Sequence, residues 1–325
     1  FGSSHLPDLG VNTPRKVKAQ PVLFWQTRAA MVLCELMSSA PSSFLATWAT
    51  ISFLTLLSVV FFSGSVFWVY YVRPSYEKWQ YKINPKFPTP QDVRLEIKQT
   101  LKGIVAAAFA PSLSLYLSQQ GMSQAYCGVG ERGWGYLAVS FLVTWVLADF
   151  FEFAYHYLGH SVTAMWSVHK HHHRFYNPSP FSVIADEPPD QVIRALPMAI
   201  FPLIAPVNMD MLFLQFGVFF YAYGVYLHWG YELERLDAHH PWINTSYQHY
   251  AHHALSIMNK PYHTGFYIKL WDQIAGSTLE KCNCSKCARS KGERSLEAWE
   301  KLEKPDYSPL LSPSFWLSGE SRKQA

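Results

Sequence analysis

Long uncharged, apolar runs alternate along the chain with polar segments that carry lysine and arginine. The first run covers residues 44–72 and contains no charged side chain. A helix needs about 20 apolar residues to cross the hydrocarbon core of a bilayer, so this run predicts a membrane-spanning helix. Four further apolar segments follow, at residues 103–119, 134–148, 195–207 and 211–229. The pattern predicts an all-α integral membrane protein with four to five transmembrane helices, although the shorter segments also fit re-entrant or buried helices.

The loops between these segments differ in positive charge. Residues 73–102, residues 160–194 and the tail after Trp229 carry several lysines and arginines, whereas the loop at 120–133 has only Arg132. Because positively charged loops usually stay in the cytosol, the last four segments predict two hairpins that enter the membrane from the cytosolic side. The dense histidine clusters fall on that side, which predicts a histidine-rich cytosolic helical cap. Basic residues within 1–40 leave the direction of the first span open.

Composition favours membrane residence and gives nucleic-acid binding no support. Charged residues make up 15% of the chain, hydrophobic residues 49%, and the net charge is only +4. An average soluble domain has about 25% charged residues, and a nucleic-acid-binding protein gathers its basic residues on one surface. We divide the chain into an N-terminal extension (1–40), a membrane region with an amphipathic linker (41–134), a histidine-rich domain (135–280) and a charged tail (281–325).

Three histidine clusters have the spacing of helix faces. HYLGH at 156–160 has an i, i+4 pair, whereas HKHHH at 169–173 and HYAHH at 249–253 share the pattern H-x-x-H-H. Residues at i, i+3 and i+4 lie on one side of a helix, so each cluster predicts a row of imidazoles. One further histidine ends the last apolar segment. The candidate ligands are His156, His160, His169, His172, His173, His228, His249, His252 and His253.

Nine histidines in phased clusters indicate metal binding, with a plain polar cluster as the alternative. Neutral imidazole binds iron, zinc and copper, and one ion rarely takes more than about six ligands, so the set predicts two ions. Structural zinc sites stop at four ligands, and the zinc-protease signature H-E-x-x-H is absent from the sequence. Two iron ions with open positions fit best, and spacing alone leaves zinc open.

The three clusters resemble the histidine boxes of the fatty acid hydroxylase/sterol desaturase superfamily. Two flanking stretches are also similar to that family: DFFEFAYHYLGH at 149–160 and LWDQIAGS at 270–277. The resemblance covers about residues 135–280 and lies nearest to the sterol C-5 desaturases, although NTSYQHYAHH also resembles the alkylglycerol monooxygenase pattern. Two departures leave the substrate class open. Tyr157 replaces the usual arginine after the first histidine, and Glu187-Pro188 replaces a His-Pro pair.

The resemblance implies a di-iron oxidoreductase that uses dioxygen and two electrons to desaturate or hydroxylate a lipid taken from the bilayer. The nine histidines would be the ligands of two iron ions, with zinc possible in the purified protein. The electrons would come from a b-type cytochrome and its NAD(P)H-dependent reductase, to which the basic tail offers a surface. The resemblance also implies an endoplasmic reticulum membrane with the site on its cytosolic side. Asp149 and Glu152 precede His156 by helical spacing and would orient it from behind.

Two other functions and one other metal site stay open at the level of sequence. The chain could be a fatty-acyl or alkylglycerol hydroxylase, or a non-enzymatic metal-binding subunit of a mitochondrial or other organellar membrane complex. All nine candidate ligands are intact, which favours an enzyme. The sequence CNCSKC at 282–287 places three thiols close together. Cys282, Cys284 and Cys287 either hold zinc with one further ligand or remain free thiols.

Overall fold

The fold combines long apolar helices with a cap of short helices at one end. The computed structural model describes residues 43–129 and 132–317. Within these ranges the regular secondary structure is helical, as the sequence predicted, and only isolated β-bridges join loops. The α-helices are α1 Phe44–Phe67, α2 Tyr76–Trp79, α3 Pro90–Ala107, α4 Phe109–Gln119, α5 Gly133–Ser161, α6 Thr163–His169, α7 Pro188–Ala195, α8 Pro197–Ile204, α9 Met209–Phe213, α10 Tyr221–His228, α11 Ser246–Leu255, α12 Leu270–Ala275, α13 Ser285–Ser290, α14 Leu296–Glu300 and α15 Pro313–Leu317.

Four of the described helical stretches are long and apolar enough to cross a membrane. They are Phe44–Val72, Pro90–Gln119, Gly133–Ser161 and Met209–His228. The first and fourth include the π-helical segments Trp68–Val72 and Leu214–Phe220. This confirms the predicted all-α membrane architecture, at the lower end of the predicted number of spans. The division of the chain into four regions stays a prediction.

The second span begins earlier than its apolar pattern indicated. Residues 92–102 include charged side chains, so hydropathy alone placed the start at Gly103. In the structure the helix starts at Pro90, where Thr89 and Asp92 form a capping box: the Thr89 hydroxyl accepts from the Asp92 N–H, and the Asp92 carboxylate accepts from the Thr89 N–H. Capping satisfies backbone groups that a bare helix end would leave unpaired, so the polar first turns remain helical.

The apolar segment at 195–207 is not one continuous span. It is divided between α7, which ends at Ala195, and α8, which starts at Pro197 and contains Pro202. Its end lies beside the loop between the second and third spans, because the Tyr126 N–H donates to the Val207 carbonyl oxygen at 3.0 Å. In one continuous helix Pro197 would lack a backbone donor and its ring would clash with the preceding turn, which explains the break before Pro197.

A close contact between α3 and the loop after the HKHHH box positions the acidic residues of that loop. A Cβ atom on Gly103 would lie 2.0 Å from the Ile184 carbonyl oxygen, so the backbones meet where no side chain fits. Gln99 donates to the Asp186 carbonyl oxygen at 2.8 Å, and Ser63 of α1 donates to the Pro180 carbonyl oxygen at 2.7 Å. Buried polar side chains of the first two spans therefore hold this loop against the histidines.

Candidate metal centre

The structure brings all nine predicted histidines into two adjacent groups. Ring nitrogens within each group lie within 4.8 Å of one another. Eight of the nine side chains are buried, and His173 is partly buried. The first histidine group consists of His156, His160, His169, His173 and His252; the second histidine group consists of His172, His228, His249 and His253.

The two H-x-x-H-H boxes do not present a single row of ligands. Their i, i+4 pairs stay together, His169 with His173 and His249 with His253, whereas the i+3 histidine of each box joins the other group. Positions i+3 and i+4 point about 100° apart around a helix, which is enough to face two different centres. The expectation of one helical HKHHH face was also wrong: α6 ends at His169, and a 3-10 turn covers His172–Arg174.

The distances between ring nitrogens fit one metal ion bound jointly by the histidines of each group. The Nε2 atoms of His173 and His169 are 3.2 Å apart, those of His249 and His228 are 2.9 Å apart, and those of His253 and His249 are 3.2 Å apart. Two nitrogens bound to one ion at about 2.1 Å and at right angles would be about 3.0 Å apart. Further buried Nε2 atoms have no hydrogen-bond partner among the described residues; they belong to His156, His160, His172 and His252.

Buried polar atoms without partners are costly, so a donor set of this kind calls for a ligand. The opposite nitrogens of several rings are already occupied. Nδ1 donates to a backbone carbonyl oxygen in four histidines: His156 to Thr264 at 3.1 Å, His160 to Ile257 at 3.2 Å, His228 to Gly224 at 2.8 Å and His252 to Tyr262 at 2.6 Å. A protonated Nδ1 leaves the Nε2 lone pair facing the centre, as metal-binding histidines require.

Two buried carboxylates contact further histidines: Asp186 in the loop after HKHHH, and Asp190 in the first turn of α7. His169 Nδ1 lies 3.2 Å from Asp190 Oδ2, and His172 Nδ1 lies 2.9 Å from Asp186 Oδ1. Arg194 pairs with Asp186 Oδ2 at 3.2 Å and also with Glu152. Burial raises the pKa of Asp186, but the neighbouring His172 and Arg194 outweigh it and hold that pKa well below its usual range. The carboxylate therefore stays ionised behind the histidine.

The sequence did not identify these two carboxylates, and it assigned their role to other acids. Asp149 was expected to orient His156, but it accepts from the Tyr267 N–H at 2.7 Å and from the Trp271 indole at 2.8 Å. Glu152 pairs with Arg194 instead. Helical spacing placed both acids on the His156 face, but one and two turns away from the ring. The overlooked signal was IADEPPDQ, an acidic stretch directly after a histidine box.

The LWDQIAGS stretch supports the first histidine group through a tight loop. Asp272 accepts from the Thr264 N–H at 2.9 Å and from the Gly265 N–H at 2.8 Å. The carbonyl oxygen of Thr264 is the one that orients His156. A Cβ atom on Gly265 would lie 2.7 Å from Asp272, so glycine is needed for this approach. Asp272 thus positions a histidine that it does not touch.

A mainly apolar cavity of about 260 Å³ lies between the membrane helices and ends at the second histidine group. Its walls come from α1, the α3–α4 helix, α7, α8 and the fourth span. His228 and Arg194 line its polar end. Representative apolar lining residues are Ile51, Leu54, Pro111, Val183, Met198, Phe216 and Phe220. The cavity therefore joins a hydrocarbon-like environment to the histidine centre.

Comparison with known proteins identifies similarity over the region that contains the histidine groups. The fatty acid hydroxylase family matches residues 141–277. Lathosterol oxidase of Rattus norvegicus is 30% identical over 197 residues, which cover 60% of this chain and 63% of that protein. Lathosterol oxidase of Homo sapiens is 30% identical over 196 residues, with 60% and 63% coverage. The Delta(7)-sterol 5(6)-desaturase erg3A of Aspergillus fumigatus is 29% identical over 195 residues, with 60% and 53% coverage.

The chain thus spans less than two thirds of the length of each of these relatives. No solved structure matches it significantly. The matched region contains all nine histidines, both supporting carboxylates and the LWDQIAGS stretch. Residues 141–277 are therefore similar to the fatty acid hydroxylase family, and the chain is similar in sequence to the sterol desaturases.

Proposed function

We propose that this protein is a membrane-bound di-iron oxidoreductase that desaturates or hydroxylates a lipid, with sterols as its substrate class. One observation carries the proposal: nine histidines form two groups at the end of an apolar cavity between membrane helices. The names of the relatives, lathosterol oxidase and sterol 5(6)-desaturase, favour a sterol over the fatty-acyl and alkylglycerol alternatives.

The two histidine groups would each hold one iron ion. Bound iron would supply the oxidation of an unactivated C–H bond with dioxygen and two electrons. The rings would be held in place by the carbonyl oxygens and carboxylates behind them, so that little reorganisation accompanies binding. Arg194 would balance the charge of Asp186 and Glu152 in a region with little water.

The cavity would bind the hydrocarbon part of the substrate. Phe216, Phe220 and Val183 offer apolar contact, and His228 marks the end at which a carbon atom would meet the metal centre. Exclusion of water around a reacting C–H bond limits side reactions. Because membrane helices form the walls, a lipid could enter from the bilayer without crossing water.

We place the site on the cytosolic side of the endoplasmic reticulum membrane and propose a b-type cytochrome with its NAD(P)H-dependent reductase as electron source. The basic tail supports docking less than its sequence indicated. Arg289 donates to the Gln80 carbonyl oxygen, Arg294 donates to the Ile83 carbonyl oxygen, and Lys286 pairs with Asp237. Lys281 and Lys291 remain exposed.

The proposal is tested by metal content and turnover of the same purified protein. We expect about two iron ions per chain after anaerobic iron loading, and dioxygen-dependent conversion of a Δ7-sterol when a cytochrome and reductase are added. His172→Ala should lose the conversion, whereas His171→Ala, an exposed neighbour outside both groups, should keep it. A folded protein that binds no iron, or a fully active His172→Ala variant, would contradict the proposal.

A further inference from the structure

We propose a second, separate metal site in which His239, Cys282, Cys284 and Cys287 bind one structural Zn²⁺ ion. The imidazole nitrogen and the three sulfur atoms all lie within 4.8 Å of one another. None of the four belongs to either histidine group. The thiols are free, and the Cys284 side chain is fully buried. The fourth ligand comes from a residue far from the thiols in sequence, which the CNCSKC pattern did not identify.

The four ligand atoms lie close enough together to converge on one tetrahedral ion. His239 Nε2 lies 3.9 Å from Cys287 Sγ, and the Cys287 N–H donates to Cys284 Sγ at 3.5 Å. Ligands of a tetrahedral zinc ion lie about 3.5–3.8 Å apart, given Zn–S near 2.3 Å and Zn–N near 2.0 Å. Small rotamer changes would therefore bring the four atoms onto one ion. Three thiolates and one imidazole are a donor set that favours zinc over magnesium or calcium.

A carboxylate lies beside the histidine of this site. His239 Nδ1 lies 3.5 Å from Asp237 Oδ1, which also accepts from the His239 backbone N–H at 2.8 Å. Lys286, inside the CNCSKC segment, pairs with the other oxygen of Asp237 at 2.7 Å. A carboxylate on Nδ1 directs the Nε2 lone pair outward, toward the thiols, as in many zinc sites.

The ion would join the tail to the loop that precedes α11, the helix that carries the last histidine box. Cys284 packs in one core cluster with Tyr247 and Ala251 of α11. The Asn283 N–H donates to the Tyr247 hydroxyl at 2.7 Å, and the Ser285 N–H donates to the Glu232 carboxylate. The opposite side of α11 presents His249, His252 and His253 to the two histidine groups. Zinc would thus hold the tail against the outer side of α11, away from the histidines on its inner side. With four protein ligands the site has no open position, which indicates a structural role.

The test must separate this zinc from any metal in the histidine groups. We would express the full chain with cobalt in place of zinc and record the near-ultraviolet charge-transfer absorption that thiolate ligands give and imidazole ligands do not. We expect this band in the wild type and in His172→Ala. It should be lost in Cys284→Ser/Cys287→Ser. In parallel, zinc-edge X-ray absorption of the zinc-loaded protein should show sulfur neighbours.

Two histidine variants give a control that does not depend on the cysteines. His239→Ala should lose most of the bound ion, His239→Cys should retain it with four sulfur ligands, and His171→Ala should be unchanged. The proposal is overturned if the wild type lacks the thiolate band, or if zinc content is equal in wild type and Cys284→Ser/Cys287→Ser. It is also overturned if two of the three sulfur atoms form a disulfide in the folded protein after purification under reducing conditions. Each of these readouts is independent of lipid turnover.

Discussion

Asp190→Asn tests whether the carboxylates behind the histidines contribute to metal binding. Asp190 is buried and accepts two hydrogen bonds: the Tyr155 hydroxyl donates to Oδ1, and His169 Nδ1 donates to Oδ2 at 3.2 Å. The substitution keeps the shape of the side chain, but asparagine has one acceptor oxygen for these two donors. If the amide NH2 faces Tyr155, the tyrosine hydroxyl can accept from it, and His169 keeps a neutral acceptor. If the NH2 faces His169, the imidazole N–H loses its acceptor.

The loss of metal affinity depends on whether the amide oxygen or the amide NH2 of the asparagine faces His169. A hydrogen bond to a charged group contributes about 1.5–3 kcal/mol, and a neutral one about 0.5–1.5 kcal/mol. If His169 keeps a neutral bond, the loss is about 1–1.5 kcal/mol, which weakens metal binding at the first histidine group by roughly 5- to 10-fold. If the amide group turns toward His169, the whole bond is lost, and the effect reaches about 10- to 100-fold, the range typical of residues that support metal-binding histidines.

The assay is competition between the metal-loaded protein in detergent and a chelator of known affinity, with bound metal per chain as the readout. Glu187→Gln is the matched control, because Glu187 is the N-cap residue of α7, one turn before Asp190, and is only partly buried. Tyr155→Phe removes the competing donor, so Asp190→Asn should cost less in that background. Wild-type affinity in Asp190→Asn, or an equal loss in Glu187→Gln, would refute the reasoning.

Three further predictions address the fold, the supporting loop and the cavity. Gly103→Ala places a methyl group 2.0 Å from the Ile184 carbonyl oxygen. It should lower the free energy of unfolding by about 1–3 kcal/mol in a thermal melt. Gly64→Ala is the control, because Gly64 has open space around it, and its unfolding should be nearly unchanged in the same melt. Asp272→Asn should lose one charged hydrogen bond to a backbone N–H, about 1.5–3 kcal/mol, and reduce retained metal; retained metal equal to wild type would exclude the positioning role. Thr55→Trp should fill the cavity and abolish sterol turnover with metal content unchanged; normal turnover would exclude the cavity as the substrate site.

Only some features of the fold can be predicted from the local sequence pattern. In a bilayer every backbone polar group must be paired within the chain, so an uncharged run of sufficient length forms a helix regardless of its neighbours. The run from 44 to 72 therefore predicted the first span residue by residue. The second span and the 195–207 segment were predicted less well, because their boundaries depend on the Thr89–Asp92 cap and on Pro197.

For the candidate site too, some features could be predicted from the sequence and others depend on tertiary packing. Sequence spacing identified the nine histidines, because positions within one helix have a fixed angular relation. It did not show that His172 and His252 change groups, that Asp186 and Asp190 stand behind the histidines, or that His239 meets three thiols. These relations join segments whose separation in space is set by packing: the Gly103 contact, the Asp272 loop and the core around Cys284. The sequence by itself determined the membrane helices and the residue types that could bind metal, whereas tertiary packing decided which of these candidate ligands lie together.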